Sequence, residues 1–361
     1  MLKRINAAAA IIGATAMPIG AAFLSPLAHA DTSLLATDGV LSDSTNAMFV
    51  GGTFEPTPST AWVDAAYTNF LQPLGFSVGD SASNICDMTG TAVCDAPLQV
   101  LTTPELLEEG PSTTVTSADI VNAVEAEYAA GNMSANDPLT IFTYSQSAIA
   151  MSAAEAKLSA AGIPEADLHV VMIGDGSTAA GVATNIYTDL EELFGGGTSA
   201  ADIAAGKDPT DALLYFVNEG QFAPAGTTFD GQLLNGAGTL NGVTPNDLYP
   251  TTIYTIDTDG IADWQEDWNA ALAQDNGNTL DALGSSVYHF LTTHLEYLGL
   301  TPAEVAAGTS TVDGLTTTIT IPDPSDWAPA WATGLADIAS CGGFLSSIGE
   351  SLADIFNPAW A

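Results

Sequence analysis

Along this chain, short apolar runs of strand length alternate with segments whose apolar residues recur every three or four positions. The runs Ala47 to Val50, Leu98 to Leu101, Leu139 to Tyr144, Leu168 to Ile173 and Thr251 to Ile256 read as buried strands. Thr316 to Ile321 alternates as a late strand, and Pro322 and Pro324 end it. Between the strands, Trp62, Val63, Ala66, Tyr67 and Phe70 predict a helix capped by Ser59 and Thr60. Ser117 predicts the cap of a second, Ala118 to Ala130, with Ile120, Val121, Val124 and Tyr128 on one face and Gly131 as its stop. A third helix runs through Met151 to Ala161, a fourth carries Ile186, Leu190 and Leu193, and a long helix-prone segment passes through Leu283, Val287 and Phe290. Strands alternating with helices predict a mostly parallel sheet covered on both faces, an α/β fold.

Residues 175–245 are richer in glycine and poorer in pattern, as expected of an insertion or cap over the sheet. Residues 46–321 carry the alternating elements as one domain. Residues 322–361 form a tail of small and apolar residues, either packed as a last helix or left as an amphipathic strip.

One junction carries chemistry. The apolar run ends at Tyr144, Ser145 follows at once, and helical spacing resumes from Ser147 through Ala148, Met151 and Ala154. Strand, serine and helix without a spacer is the order of a nucleophile elbow, whose sharp turn lifts the hydroxyl above the sheet. The usual G-x-S-x-G is here Thr143-Tyr144-Ser145-Gln146-Ser147. Gly51-Gly52-Thr53, directly after the first strand, predicts a turn in which backbone comes close to something, in a hydrolase often the substrate oxyanion.

Composition narrows the setting. Met1-Leu2-Lys3-Arg4, an apolar stretch to Leu27 and Ala28-His29-Ala30 predict a secretory signal peptide cleaved after Ala30, followed by a leader over 31–45. Loss of Lys3 and Arg4 would leave Lys157 and Lys207 as the only cations against 43 acids. A chain so acidic has nothing to neutralise phosphates, which argues against nucleic acid, and its charge disfavours anionic membrane. The sequence has 3 cysteines; Cys86 and Cys94 flank a turn-like stretch and predict a local disulfide, which leaves Cys341 as a free buried thiol.

A serine nucleophile needs a base and an acid that orients it. With His29 in the signal peptide, His169, His289 and His294 remain. His169 starts an apolar strand, at the wrong end of the sheet, and reads as structural. His289 and His294 both follow the last acidic loop and keep the order Ser, Asp, His. In that loop Asp257, Asp259 and Asp263 all qualify; the spacing from Gly260 favours Asp263, with Asp259 as the alternate. Read as a calcium loop, Asp257-x-Asp259-Gly-x-x-Asp263 would need an acid where Trp268 stands. No metal or cofactor is expected.

Thr251 to Tyr254, Asp259-Gly260-Ile-Ala-Asp263-Trp264 and His294-Leu-Glu-Tyr297-Leu-Gly-Leu-Thr301 resemble the PE-PPE domain of mycobacteria and their relatives. That domain is a serine α/β-hydrolase related to cutinases and lipases. The resemblance extends to Gly51-Gly52-Thr53, Tyr144 to Ala148, and Asn241-Gly242 through Tyr249-Pro250, roughly residues 46–321. It implies His294 rather than His289 as the base and tolerates Ser147 in the last place of the pentapeptide. Two departures are Thr143 for the family's first glycine and Trp264-Gln265 for an expected Phe-Pro. The activity implied is a secreted or envelope-associated esterase or lipase acting on acyl esters, with Ser145, His294 and Asp263 (or Asp259) as triad and Thr53 and Gln146 at the oxyanion. An acyltransferase with the same triad and a non-catalytic envelope or lipid-binding protein are the alternatives.

Overall fold

The computed structural model describes residues 39–78, 85–88, 93, 96–106, 109–193, 228–229, 232–233, 243–274 and 277–355. The expected signal peptide, much of the leader, Cys94, and most of the expected cap lie outside the described residues.

The strands are β1 (Asn46–Val50), β2 (Ile85–Met88), β3 (Leu98–Leu101), β4 (Leu139–Tyr144), β5 (Leu168–Ile173), β6 (Thr228–Phe229), β7 (Gln232–Leu233), β8 (Thr251–Ile256), β9 (Thr309–Asp313) and β10 (Thr316–Ile321). Eight of them form one sheet in the order β2-β3-β1-β4-β5-β8-β10-β9; β6 and β7 pair separately. Every neighbour in the large sheet is parallel except the edge pair β10–β9. Strands buried on both faces explain the unbroken apolar runs, since a parallel sheet needs helices on each side.

The helices are α1 (Thr60–Ala66), α2 (Glu109–Ala130), α3 (Gln146–Ala161), α4 (Val182–Leu193), α5 (Trp264–Gln274), α6 (Thr279–Leu291), α7 (Pro302–Val305), α8 (Trp327–Ala339) and α9 (Phe344–Ile355). On one face Trp62, Val63 and Ala66 of α1 join Phe70, Phe49, Phe142, Tyr254 and Tyr297 in a single apolar cluster. On the other, Ile120, Ala123 and Val124 of α2 and Ala148, Met151 and Ala154 of α3 cover Met48, Ile141, Val170 and Ile253. A third cluster joins Ile149 to α4, α5 and α6 through Ile186, Trp268 and Ala282. Strand order, a serine turn and helices on both faces make this an α/β-hydrolase fold.

Several expectations move. The helix expected from Ala118 starts at Glu109. Ser117 is not its cap but a buried residue inside it, whose hydroxyl accepts from Lys157 Nζ at 2.9 Å. Pro111 does not prevent the early start, because the first turn's N–H groups have no intrahelical acceptor to lose. The helix-prone segment through Leu283, Val287 and Phe290 is α6, capped by Asn278, which accepts from the Leu280 N–H. It carries His289 but ends at Leu291, so His294 stands in the short turn Thr293–Leu295 that follows. The edge strand β9, the four-residue β2 and the two-residue β6 and β7 are additional to the expected set. Cys86 is disulfide-bonded and Cys341 is a free, buried thiol.

The tail is in close contact with the domain. A Cβ at Gly299 would fall 1.9 Å from the Ala330 carbonyl oxygen, and one at Gly334 would fall 2.1 Å from that of Leu295. Trp331 Nε1 donates to the Leu291 carbonyl at 2.9 Å. Helix α8 thus braces the turn that carries His294.

Candidate active site

Ser145 lies between β4 and α3 with φ 56° and ψ −117°, a conformation that a residue with a side chain adopts only under strain of about 1–3 kcal/mol. Neighbouring hydrogen bonds hold it there. The Ser145 N–H donates to the Ile173 carbonyl at 3.1 Å, and its own carbonyl accepts from the Ala148 N–H at 3.0 Å. Ser147, in the place of the second glycine, accepts the Tyr144 N–H at 3.0 Å, and its hydroxyl lies 3.1 Å from the carbonyls of both Val50 and Tyr144. The serine in the last place of the pentapeptide therefore ties the elbow to β1. Thr143 is fully buried, and its hydroxyl has no partner among the described residues.

The Ser145 hydroxyl meets His294 Nε2 at 2.8 Å. On the other side of the ring, Nδ1 meets both carboxylate oxygens of Asp259 at 2.9 Å. Asp259 also accepts from the Ile261 N–H at 2.8 Å and from the Tyr297 hydroxyl at 2.7 Å. Burial alone would raise this carboxyl, but His294, Tyr297 and the Ile261 N–H outweigh it and hold it below the usual carboxylate range. His294 is 1 % exposed. Its ring stacks on Tyr144 with centroids 5.2 Å apart, and the Tyr144 hydroxyl donates to the His294 carbonyl at 2.6 Å.

Among the acids singled out in the sequence, Asp259, the alternate, stands at His294, and Asp263, the preferred one, does not. The cause is local. Thr258 turns the chain with φ 69° directly after β8, so the residue that follows is the one aimed at the histidine. By Asp263 the chain has turned on, its N–H bonding the Asp259 carbonyl at 2.8 Å to lead into α5. Burial, then Asp259 and other nearby acids, push the Asp263 carboxyl up to about 8. The calcium reading also loses Asp259, whose oxygens are engaged. His289 is on α6, with Nδ1 2.7 Å from Asp267. His169 is on β5, 3.9 Å from Asp43.

Two glycines make the convergence possible. A Cβ on Gly52 would lie 3.0 Å from the Ser145 Cβ, so the loop after β1 can lie against the elbow. Gly174, at φ 59°, has His294 Cε1 2.7 Å from where its Cβ would stand. The Gly52 N–H is already taken, at 2.6 Å, by Glu55, which also accepts from Trp62 Nε1 at 3.1 Å. Burial pushes this carboxyl up to about 8. Gln146 links the expected oxyanion elements. Its Nε2 donates to the Leu106 carbonyl at 2.7 Å and to Thr53 Oγ1 at 3.3 Å, and its Oε1 accepts from Ser112 at 2.7 Å. As the first residue of α3, Gln146 has a backbone N–H without an intrahelical acceptor. Tyr144, Glu55 and Gly174 were not singled out for these roles in the sequence. Tyr144 and Tyr297 adjoin Ser145 and His294 in the quoted motifs, which is the signal that was available.

No family profile matches the chain. An uncharacterised PPE family protein of Mycobacterium tuberculosis, PPE28, is 34 % identical over 113 residues, 30 % of this chain and 16 % of that protein. Esterase PE16 of the same organism is 38 % identical over 132 residues, 34 % of this chain and 23 % of its own length. The matched stretch thus spans less than a quarter of either relative. Among solved structures, a cutinase-like protein from Cryptococcus sp. is 15 % identical with a TM-score of 0.30, covering 72 % of this chain and 97 % of that one. The relatives that support the resemblance to the PE-PPE esterase-like family are therefore mycobacterial PE and PPE proteins matched over about a third of this chain.

Proposed function

We propose that this chain is a serine esterase that cleaves carboxylic esters through an acyl-enzyme. The observation that carries the reading is the continuous line Ser145–His294–Asp259, with contacts of 2.8 and 2.9 Å on a strained elbow. The name of Esterase PE16 agrees with it.

Ser145 Oγ attacks the ester carbonyl while His294 Nε2 takes its proton. Asp259 holds Nδ1–H, fixes the tautomer and stabilises the imidazolium that forms. The Gln146 backbone N–H and the backbone at Thr53 receive the developing oxyanion, the step at which fixed donors lower the barrier most. His294 then returns its proton to the leaving alcohol, and water repeats the sequence to free the acid. The residues need no metal for this. We extend the proposal to export, with residues 1–30 as the cleaved signal; N-terminal sequencing of the cultured product tests it by a start at Asp31.

Ser145→Ala is expected to abolish turnover of p-nitrophenyl esters, with a loss of about 10⁶ in kcat, and to end labelling by a fluorophosphonate probe. Unchanged turnover in a folded variant would sink the proposal.

A further inference from the structure

We propose that Tyr297 is a positioning residue for this reaction and acts through Asp259. The proposal rests on the esterase reading above.

Tyr297 is fully buried. Its hydroxyl accepts the Ile256 N–H at 2.9 Å and donates to Asp259 Oδ2 at 2.7 Å. A phenol has one hydrogen to give. With a backbone N–H on its acceptor side, that hydrogen points at the carboxylate. Ile256 is the last residue of β8, so the hydroxyl ties the acid to the end of a central strand. The Asp259 N–H reinforces the tie, donating to the Ile256 carbonyl at 3.0 Å.

The same short turn supplies the base and the clamp. Tyr297 follows His294 by three places, and the two rings meet nearly edge to face, centroids 6.0 Å apart at 82°. His294 Nδ1 is equidistant from the two Asp259 oxygens, so its own bond does little to stop the carboxylate turning. Ile261 N–H holds Oδ1 and Tyr297 holds Oδ2. Without the hydroxyl, one oxygen is released, and the carboxylate can swing away from the orientation that steadies the imidazolium in the transition state. Tyr297 lies behind the acid and touches no substrate, so the loss falls on kcat and not on KM.

The test is a double-mutant cycle with p-nitrophenyl butyrate. Tyr297→Phe keeps the ring and is expected to lower kcat about tenfold with KM unchanged, the scale of one hydrogen bond to a charged group. In an Asp259→Asn background the same change should cost less than about twofold, because the carboxylate charge that the hydroxyl orients is gone. An equal loss in both backgrounds, or wild-type kcat in Tyr297→Phe, overturns the proposal. Full activity in Asp259→Asn alone instead overturns the esterase mechanism, so the two failures are distinguishable. Should Tyr297→Phe fail to fold, 3-fluorotyrosine at 297 keeps both hydrogen bonds and strengthens the donor. The tighter clamp is expected to raise kcat at unchanged Tm, and an unchanged or lowered kcat overturns the role.

Discussion

Two histidines five residues apart each pair through Nδ1 with a buried aspartate, and the surroundings of the two pairs differ. His294 Nδ1 meets Asp259 at 2.9 Å, and His289 Nδ1 meets Asp267 at 2.7 Å. The His294 side chain is 2 % exposed, that of His289 24 %. Asp259 has donors on both oxygens. Asp267 has His289 and Ser285 on one oxygen and, among the described residues, no partner for the other. At Nε2 the difference is decisive, since His294 meets Ser145 there. A histidine beside a carboxylate is a common device of charge pairing; a serine held in strain on its far nitrogen makes it a candidate for catalysis.

The comparison breaks most sharply at the histidines. His294→Gln is expected to lower kcat by about 10⁴-fold or more, because proton transfer from Ser145 loses its acceptor. His289→Gln should leave kcat within about twofold, as a change remote from the reacting atoms. Steady-state kinetics on a p-nitrophenyl ester checks both, and a large loss in His289→Gln with His294→Gln active would reverse the assignment.

The acids sharpen it next. Asp259→Asn is expected to cost about 10⁴ in kcat through the wrong tautomer of His294. Asp263→Asn should leave activity within about twofold and change stability instead. The folded Asp263 carboxyl stands at about 8, above its ordinary 3.8. Between those values the native state holds a proton that the unfolded chain has released, so this group destabilises the fold increasingly as pH rises. Asparagine removes that term. The Tm gain should therefore be greatest near pH 8 and vanish near pH 4, which thermal melts at both pH values test.

The same contrast explains what the sequence made legible. Strands β1, β3, β4, β5 and β8 were readable as runs because a central parallel strand is buried on both faces, and β10 was readable because its residues alternate. Strand β9 was not, because Thr309 to Asp313 lies at an exposed edge and hydropathy reports burial rather than pairing. Ser145 was visible in the abrupt change from strand to helix. The choice between Asp259 and Asp263 was not, since it depends on the positive φ of Thr258, a non-glycine residue that gives no sign of its backbone geometry. The two histidines could not be separated by period or spacing. Resemblance preferred His294, and the turn after α6 brings that residue to Ser145.

The smallest expected effect concerns His289 itself. Burial lowers its proton affinity, but the bond and charge of Asp267, with Asp323 and Asp259 beyond, outweigh burial and raise it above the ordinary value of 6.5. A histidine raised in the folded state stabilises the fold fully below its unfolded pKa, and that contribution is lost as pH climbs through the folded value. His289→Gln should therefore lower Tm most near pH 5.5, and the penalty should shrink towards pH 8.5. Partial exposure of the ring keeps the effect to about a degree or two, since solvent screens such a pair. Melts of wild type and variant at the two pH values decide the matter. A penalty that grows with pH would mean that neutral hydrogen bonding, not charge, joins His289 to Asp267, and the two pairs would then differ in the nature of the bond as well as in its surroundings.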